Sequence, residues 1–198
     1  LLGSLDNYKE TITDDMSGGK KIEPILSPLK IRRLVVDVAK DLPEKVVTTQ
    51  ALQMSECECN EYEQYLSSLK SNGDSDKVNL GMLQQLRMFC THPYAISGMH
   101  DFDDPTEVSI KYQRFCEIVE EIISRDEKII VFTSYKSMFD IFKKDVPNRF
   151  GIQLWTINGE TPVDERQQIV DRFNNLSGSA MLILNPRAAG TGLNITGA

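Results

Sequence analysis

An α/β architecture built on a parallel sheet is the expectation for this 198-residue chain, and three observations carry it. Short apolar runs recur at 128–134, 152–157 and 181–185. Segments of helical period fill the gaps between them, and each gap is long enough for a crossover connection and too long for a hairpin. Ahead of the first run lies a region in which helical patterning dominates.

Composition sets the class. Hydrophobic residues make up 40% and charged residues 26%, as in a soluble globular protein. No run reaches the roughly 18 apolar residues of a membrane span, and no basic-then-apolar leader stands at the front. An intracellular setting follows as the expectation. The net charge of −7 argues against a generic nucleic-acid coat. It is unevenly spread: residues 1–127 carry 14 Lys and Arg against 23 Asp and Glu, a balance of −9, whereas residues 128–198 carry 8 against 6, a balance of +2. The acidic front and mildly basic back permit polyanion contact in the second part.

The elements follow in order. Leu1 to Glu23 is polar with a turn at 17–20, and Pro24 and Pro28 punctuate the next segment. From Leu29, the residues Ile31, Leu34, Val35 and Val38 mark one face of a helix that Leu42-Pro43 ends, because the residue before proline is excluded from helical geometry. KVVTTQALQM (45–54) is β-branched and predicts a strand that joins the later sheet. Ser55 is placed to cap a helix running to about Leu69, and Leu80 to Phe89 is helical again. HDFDDP (100–105) predicts a solvated acidic loop, and Phe115, Ile118, Val119, Ile122 and Ile123 a helical stripe. After the first strand, Met138, Phe139, Ile141 and Phe142 predict a helix ending near Pro147. Thr161, Pro162 and Asp164 supply a cap, a first-turn proline and an acid for a helix to about Asn174.

Four cysteines raise the question of metal. Cys57 and Cys59 sit about 200° apart on a helix that turns roughly 100° per residue, which does not converge them on one ion. Reduced, buried thiols are the expectation. Neither histidine, His92 or His100, stands in a nucleophilic arrangement, and no GxxxxGK[ST] phosphate loop occurs.

A parallel sheet places its ligand loops at the carboxyl ends of its strands. That edge comprises Thr133-Ser134, Asn158-Gly159-Glu160 and Asn185 to Gly192. Gly190 and Gly192 let backbone approach a ligand closely. Arg166 points into the middle of the apolar stripe Val163, Ile169, Val170 and Phe173. A guanidinium there requires a partner, either a carboxylate or carbonyl of the fold or an external phosphate.

Taken in order, the segments resemble the SWI/SNF-related ATPases, double-stranded-DNA translocases of helicase superfamily two. SPLKIRRLVVDVAKDLPEK (27–45) is similar to that family's RR-x-K-x-x-V-x-x-x-LP-x-K segment, with Leu34 and Val35 after the arginine pair. LRMFCTHPYAI (86–96) is similar to LR-x-x-C-x-HP, with Thr91 where asparagine is frequent. KIIVFTSY resembles helicase motif IV, INGETPVDERQQIVDRFN the DGST-x-x-x-R-x-x-x-I-x-x-FN element, and NPRAAGTGLNITGA motif V. Pro186 stands where threonine is usual in motif V, and Ala189 where glycine is.

The resemblance implies an incomplete RecA-like sheet with flanking helices, preceded by a helical insertion. It divides the chain into 1–26, the tail of a first RecA-like lobe; 27–105, the insertion with strand 45–54; and 106–198, a truncated second lobe. It implies that Thr133, Ser134, Arg166 and Arg187 face a DNA backbone, and that Gly190, Gly192 and Asn194 lie at the ATP cleft between lobes. His92 becomes a structural residue. The complete motor would use ATP and Mg2+, with double-stranded DNA and the other RecA-like lobe as partners. This stretch is expected to be inactive alone and to hold no metal. Two alternatives are a RecA-like lobe serving only as a protein-docking module, and a Rossmann-type dinucleotide enzyme. The second fits poorly, because its glycine fingerprint belongs after the first strand.

Overall fold

The computed structural model describes residues 23–31, 45–71, 80–97, 104–189 and 192–198. The chain divides into two units, Leu1–Thr49 and Gln50–Ala198. In the first, one helical turn, α1 (Glu23–Leu26), runs into a 3-10 turn over Ser27–Leu29. The polar stretch 1–22 and most of the helix expected from Leu29 to Leu42 lie outside the described residues. Residues 45–55 carry no strand, so the prediction for 45–54 is corrected. Val46 and Val47 are 87% and 72% exposed: β-branching favours extended backbone, but a strand also needs a partner edge and a face to bury.

The second unit opens on three helices, α2 (Glu56–Ser71), α3 (Leu80–Phe89) and the single turn α4 (Tyr94–Ser97). Ser55 caps α2 as expected, and reciprocally: its Oγ accepts from the Glu58 N–H at 3.1 Å, while Glu58 Oε2 accepts from the Ser55 N–H at 2.8 Å. Glu58 is buried, and its Oε1 accepts from the Ile110 N–H at 2.9 Å. Ile110 begins the next helix, α5 (Ile110–Ile123), so one carboxylate satisfies orphan N–H groups at two helix starts. Ser109 Oγ adds a third such bond, from Tyr112 N–H.

His92 is fully buried and both ring nitrogens are engaged. Nδ1 accepts from the Tyr94 N–H at 3.2 Å, which leaves Nε2 to donate to the Pro105 carbonyl at 3.0 Å. Burial holds its pKa below the usual histidine value. HDFDDP is not solvated at its described end: Pro105 is fully buried, and Asp104 accepts from Thr106 and from Arg149 Nη2 at 2.6 Å. Arg149 also grips Asp145, which accepts the Tyr112 hydroxyl at 2.8 Å. Of the cysteines only Cys116 is buried, its thiol pushed up to about 12 by desolvation; Cys57, Cys59 and Cys90 are exposed, contrary to expectation. Cys57 and Cys59 ride the solvent side of a helix whose one buried residue is Glu58.

Three strands then alternate with helices: β1 (Ile129–Phe132), α6 (Lys136–Phe150), β2 (Gln153–Ile157), α7 (Val163–Asn175), β3 (Ala180–Leu184) and the turn α8 (Pro186–Ala189). All pairings are parallel in the order β1-β3-β2, with Ile130 opposite Leu182 and Trp155 opposite Leu182 on the other side. The central strand β3 is buried along its whole length. Its side chains alternate by the period-2 rule: Met181 and Ile183 pack with the α5 and α6 residues Val119, Phe139 and Phe142, while Ala180, Leu182 and Leu184 pack with Val170 and Phe173 of α7. Helices therefore cover both faces. α6 runs three residues past Pro147, which sits in the last turn, and Gly151 closes it with an N–H to the Pro147 carbonyl.

Candidate nucleic-acid interface

The parallel order brings the carboxyl ends of all three strands to one edge. Pairing runs to the last residue: the Thr133 N–H donates to the Leu184 carbonyl at 3.0 Å and the Asn185 N–H to the Ile157 carbonyl at 2.9 Å. Three loops thus leave the sheet at one level. Lys136, after β1, pairs with Glu160, after β2, although β3 lies between those strands, so the ion pair spans the end of β3. Both side chains are about 70% exposed, at 72% and 69%. The ammonium holds the Glu160 carboxyl below its usual range, and the carboxylate raises Lys136.

The loop after β2 is closed by Asn158 and Thr161. Thr161 Oγ1 accepts from the Asn158 N–H at 3.1 Å, and Asn158 Oδ1 accepts from the Glu160 N–H at 2.9 Å. Thr161 therefore shapes this turn instead of capping α7, whose N-cap position is Pro162 without a side-chain bond. A hydroxyl one position ahead of the N-cap, and already engaged in its own turn, does not reach the helix amides.

The loop after β3 begins as a capped turn. Asn185 Oδ1 accepts from the Arg187 N–H at 2.9 Å, and its carbonyl accepts from Ala188 and Ala189. Pro186 occupies the first helical position, where its fixed φ is pre-organised and its absent N–H costs nothing. Ala189 packs against the α7-side core, a use for the methyl that glycine lacks. Gly192 has φ +86, a left-handed conformation that requires glycine for its backbone; a Cβ there would meet no atom within 4 Å. Farther on, Asn174 at the end of α7 holds the chain: its Oδ1 accepts from the N–H groups of Thr196 at 3.2 Å and Gly197 at 2.9 Å, and its Nδ2 donates to the Asn194 carbonyl at 3.1 Å. A Cβ on Gly197 would come within 2.9 Å of Asn174 Cα, so this close approach also demands glycine.

Of the expected site residues, all but Gly190 lie among the described residues. Thr133 is half-buried, its hydroxyl accepting from the Tyr135 N–H at 3.3 Å, and Ser134 beside it is exposed. Arg187 is exposed on α8. Gly190 lies outside the described residues. Asn194 has an exposed side chain and a pinned carbonyl. Arg166 is half-buried, and two of its nitrogens are spent inside the fold: Nε donates to the Thr161 carbonyl at 3.0 Å and Nη1 to the Ala188 carbonyl at 2.7 Å. The sequence places Glu160 and Asn185 on this edge without giving either a partner, and it gives Lys136 and Asn174 no role there. Only Asn185 carried a local signal, a capping residue directly before a first-turn proline. Among the described residues, no group of three or more His, Cys, Asp or Glu could hold a metal.

A parallel sheet covered on both faces, with a glycine-bearing loop at the carboxyl end of its central strand, is an α/β arrangement of the kind that holds its ligands at the strand ends. Residues 110–198 match the family model described as the helicase conserved C-terminal domain. Along most of its length the chain is similar to SWI/SNF-related and other ATP-dependent helicases. It is 28% identical over 191 residues to the SWI/SNF-related matrix-associated actin-dependent regulator of chromatin subfamily A member 1 of Mus musculus, covering 90% of this chain and 18% of that protein. It is 30% identical over 177 residues to an ATP-dependent helicase of Mycoplasma pneumoniae, covering 87% of this chain and 16% of that one. The structure of the Sulfolobus solfataricus SWI2/SNF2 ATPase core domain is matched over 100% of this chain and 43% of its own, with a TM-score of 0.65 and 26% identity. The chain thus spans less than half of that core and under a fifth of the two relatives.

Proposed function

We propose that this chain forms the duplex-tracking part of the second lobe of an intracellular, ATP-driven double-stranded-DNA translocase, with the loop after β3 coupling DNA contact to the nucleotide cleft. One observation carries the reading: three strand-end loops meet on one edge, and a lysine–glutamate pair links the outer two past the end of β3. Exposed Ser134, half-buried Thr133 and exposed Arg187 present hydroxyl and guanidinium donors suited to phosphate oxygens. Such contacts ignore base sequence, so affinity falls with salt and not with base composition. Gly192 and Asn194 stand on the loop that would reach the cleft, with Gly190 in the same segment.

ATP enters as the fuel used by the helicases this chain is similar to. No phosphate loop occurs in these 198 residues, and no group of three or more His, Cys, Asp or Glu gathers among the described residues. No chemical step is therefore assigned to them. We expect the chain on its own to hydrolyse no ATP.

The test is titration of the chain against a labelled duplex by fluorescence anisotropy at several salt concentrations. Arg187→Ala should weaken binding equally for duplexes of unrelated sequence and lower the salt slope by about one. A chain that ignores duplex at low salt but captures a protein partner would favour the docking-module reading.

A further inference from the structure

Resting on the reading of this edge as a duplex-contacting face, we propose that Arg166 and Asn174 are positioning residues that hold the loop after β3 from one helix, and that Arg166 acts through that loop instead of on a phosphate. Both side chains belong to α7, near its two ends, eight residues and so roughly 12 Å apart along the axis. Arg166 reaches the near end of the loop at Ala188, and Asn174 the far end at Asn194, Thr196 and Gly197.

The chemistry of each contact supports a brace. Ala188 lies in a four-residue helical turn, and among the described residues no backbone N–H outside it donates to the Ala188 carbonyl, which accepts from Arg166 instead. Thr161 precedes Pro162, and the Glu165 N–H bonds the Pro162 carbonyl, which leaves the Thr161 carbonyl to Arg166 Nε. The guanidinium fork thereby joins the loops after β2 and β3 with two charge-assisted bonds from a group that cannot lose its charge. With Nε–H and one Nη1–H engaged in this way, the edge of the guanidinium that would grip a phosphate through Nε and Nη1 is already committed, and the remaining N–H groups are the second on Nη1 and the two on Nη2. At the other end Asn174 uses its amide as both acceptor and donor, and Gly197 packs so closely on its backbone that no side chain fits. α7 itself is anchored in the core by Val170 and Phe173, both fully buried, and its last carbonyls receive Lys128 Nζ at 2.7 and 2.9 Å. The loop is therefore registered against a rigid part of the lobe at two points, with Gly192 between them.

The experiment measures three quantities on the 198-residue chain: amide hydrogen exchange in peptides covering 186–197, thermal unfolding, and duplex affinity as a function of salt. Arg166→Ala and Asn174→Ala should each speed exchange in 186–197 by about tenfold while peptides of β1 and β3 stay protected, since a charged or bidentate hydrogen bond contributes on that scale. Duplex affinity should fall severalfold with an unchanged salt slope, because no phosphate contact is lost. Asn174→Asp, which keeps the acceptor for Thr196 and Gly197, should recover most of the protection. Arg166→Lys keeps the charge without the fork and should stay close to alanine; Arg166→Gln, with one amide donor, should fall between and serves if the alanine variant does not fold. The proposal is overturned if exchange in 186–197 is unchanged in both alanine variants. It is equally overturned if Arg166→Lys restores affinity while Arg166→Ala lowers the salt slope by about one, the signature of a phosphate contact. Absence of duplex binding by the unmodified chain would sink the translocase reading alone, because exchange reports the brace without DNA.

Discussion

Residues 50–109 and 110–198 belong to one unit, yet they are held by different kinds of interaction. Among its described residues the earlier half buries few apolar side chains, Met82, Leu86, Phe89 and Ala95 among them, and sets its helices with Glu58, His92 and Ser109, all buried and all hydrogen-bonded. The later half buries a complete strand between two apolar layers. Polar keystones fix direction and leave a structure sensitive to protonation; apolar layers fix position and tolerate pH. The contrast suits the division of labour, because the proposed DNA-facing loops emerge from the half built by packing.

The sharpest way to break that comparison is to attack each half at its own kind of joint. Phe173 is fully buried and meets Trp155 edge to face at 6.2 Å. Phe173→Ala should cost about 3–5 kcal/mol in urea unfolding, with no dependence on pH between neutrality and mild acid. His92→Ala should cost somewhat less, about 2–3 kcal/mol, by stripping the Pro105 carbonyl of its buried partner. Here pH enters with a definite sign. Burial lowers the His92 pKa in the fold, against the attractions of Glu58 and Asp145, so below about 6.5 the unfolded chain binds the proton first. The stability tied to neutral His92 is fully present above that value and is lost as pH falls toward the folded pKa. Unfolding temperature should drop over this window in the unmodified chain and drop less in His92→Gln; equal slopes would remove histidine as the cause. The smallest effect belongs to the surface. Glu160→Gln releases Lys136 at the edge and should raise duplex affinity a fewfold, with a steeper salt dependence by up to about one. A loss of affinity would mean the pair orders the loops and does not compete with phosphate.

Periodicity was a good guide wherever one face of an element is buried by its immediate neighbours. Leu80–Phe89 and the three strands follow it to within a residue or two, because a two-sided apolar core imposes its pattern directly on the sequence. It misled at 45–54, where the β-branched residues stay exposed and pair with no strand, and at Thr161, where a nearby asparagine outcompetes the helix amides for the hydroxyl. The site was half legible. Motif order located the strand-end loops, and Asn185-Pro186 announced its own cap. Nothing local links Arg166 to Ala188, 22 residues on, or Asn174 to Gly197, 23 residues on.

Helical and strand periods, the resemblance to SWI/SNF-related ATPases and the placing of the loops on the carboxyl edge were present in the order of residues alone, since local propensity and alternation are properties of near neighbours. Which partner each buried polar group takes was settled only when the chain closed on itself. A guanidinium in an apolar stripe must be satisfied, but whether by a ligand or by a carbonyl depends on which loop folds back within about 3 Å of it, a hydrogen-bond distance that sequence spacing does not encode.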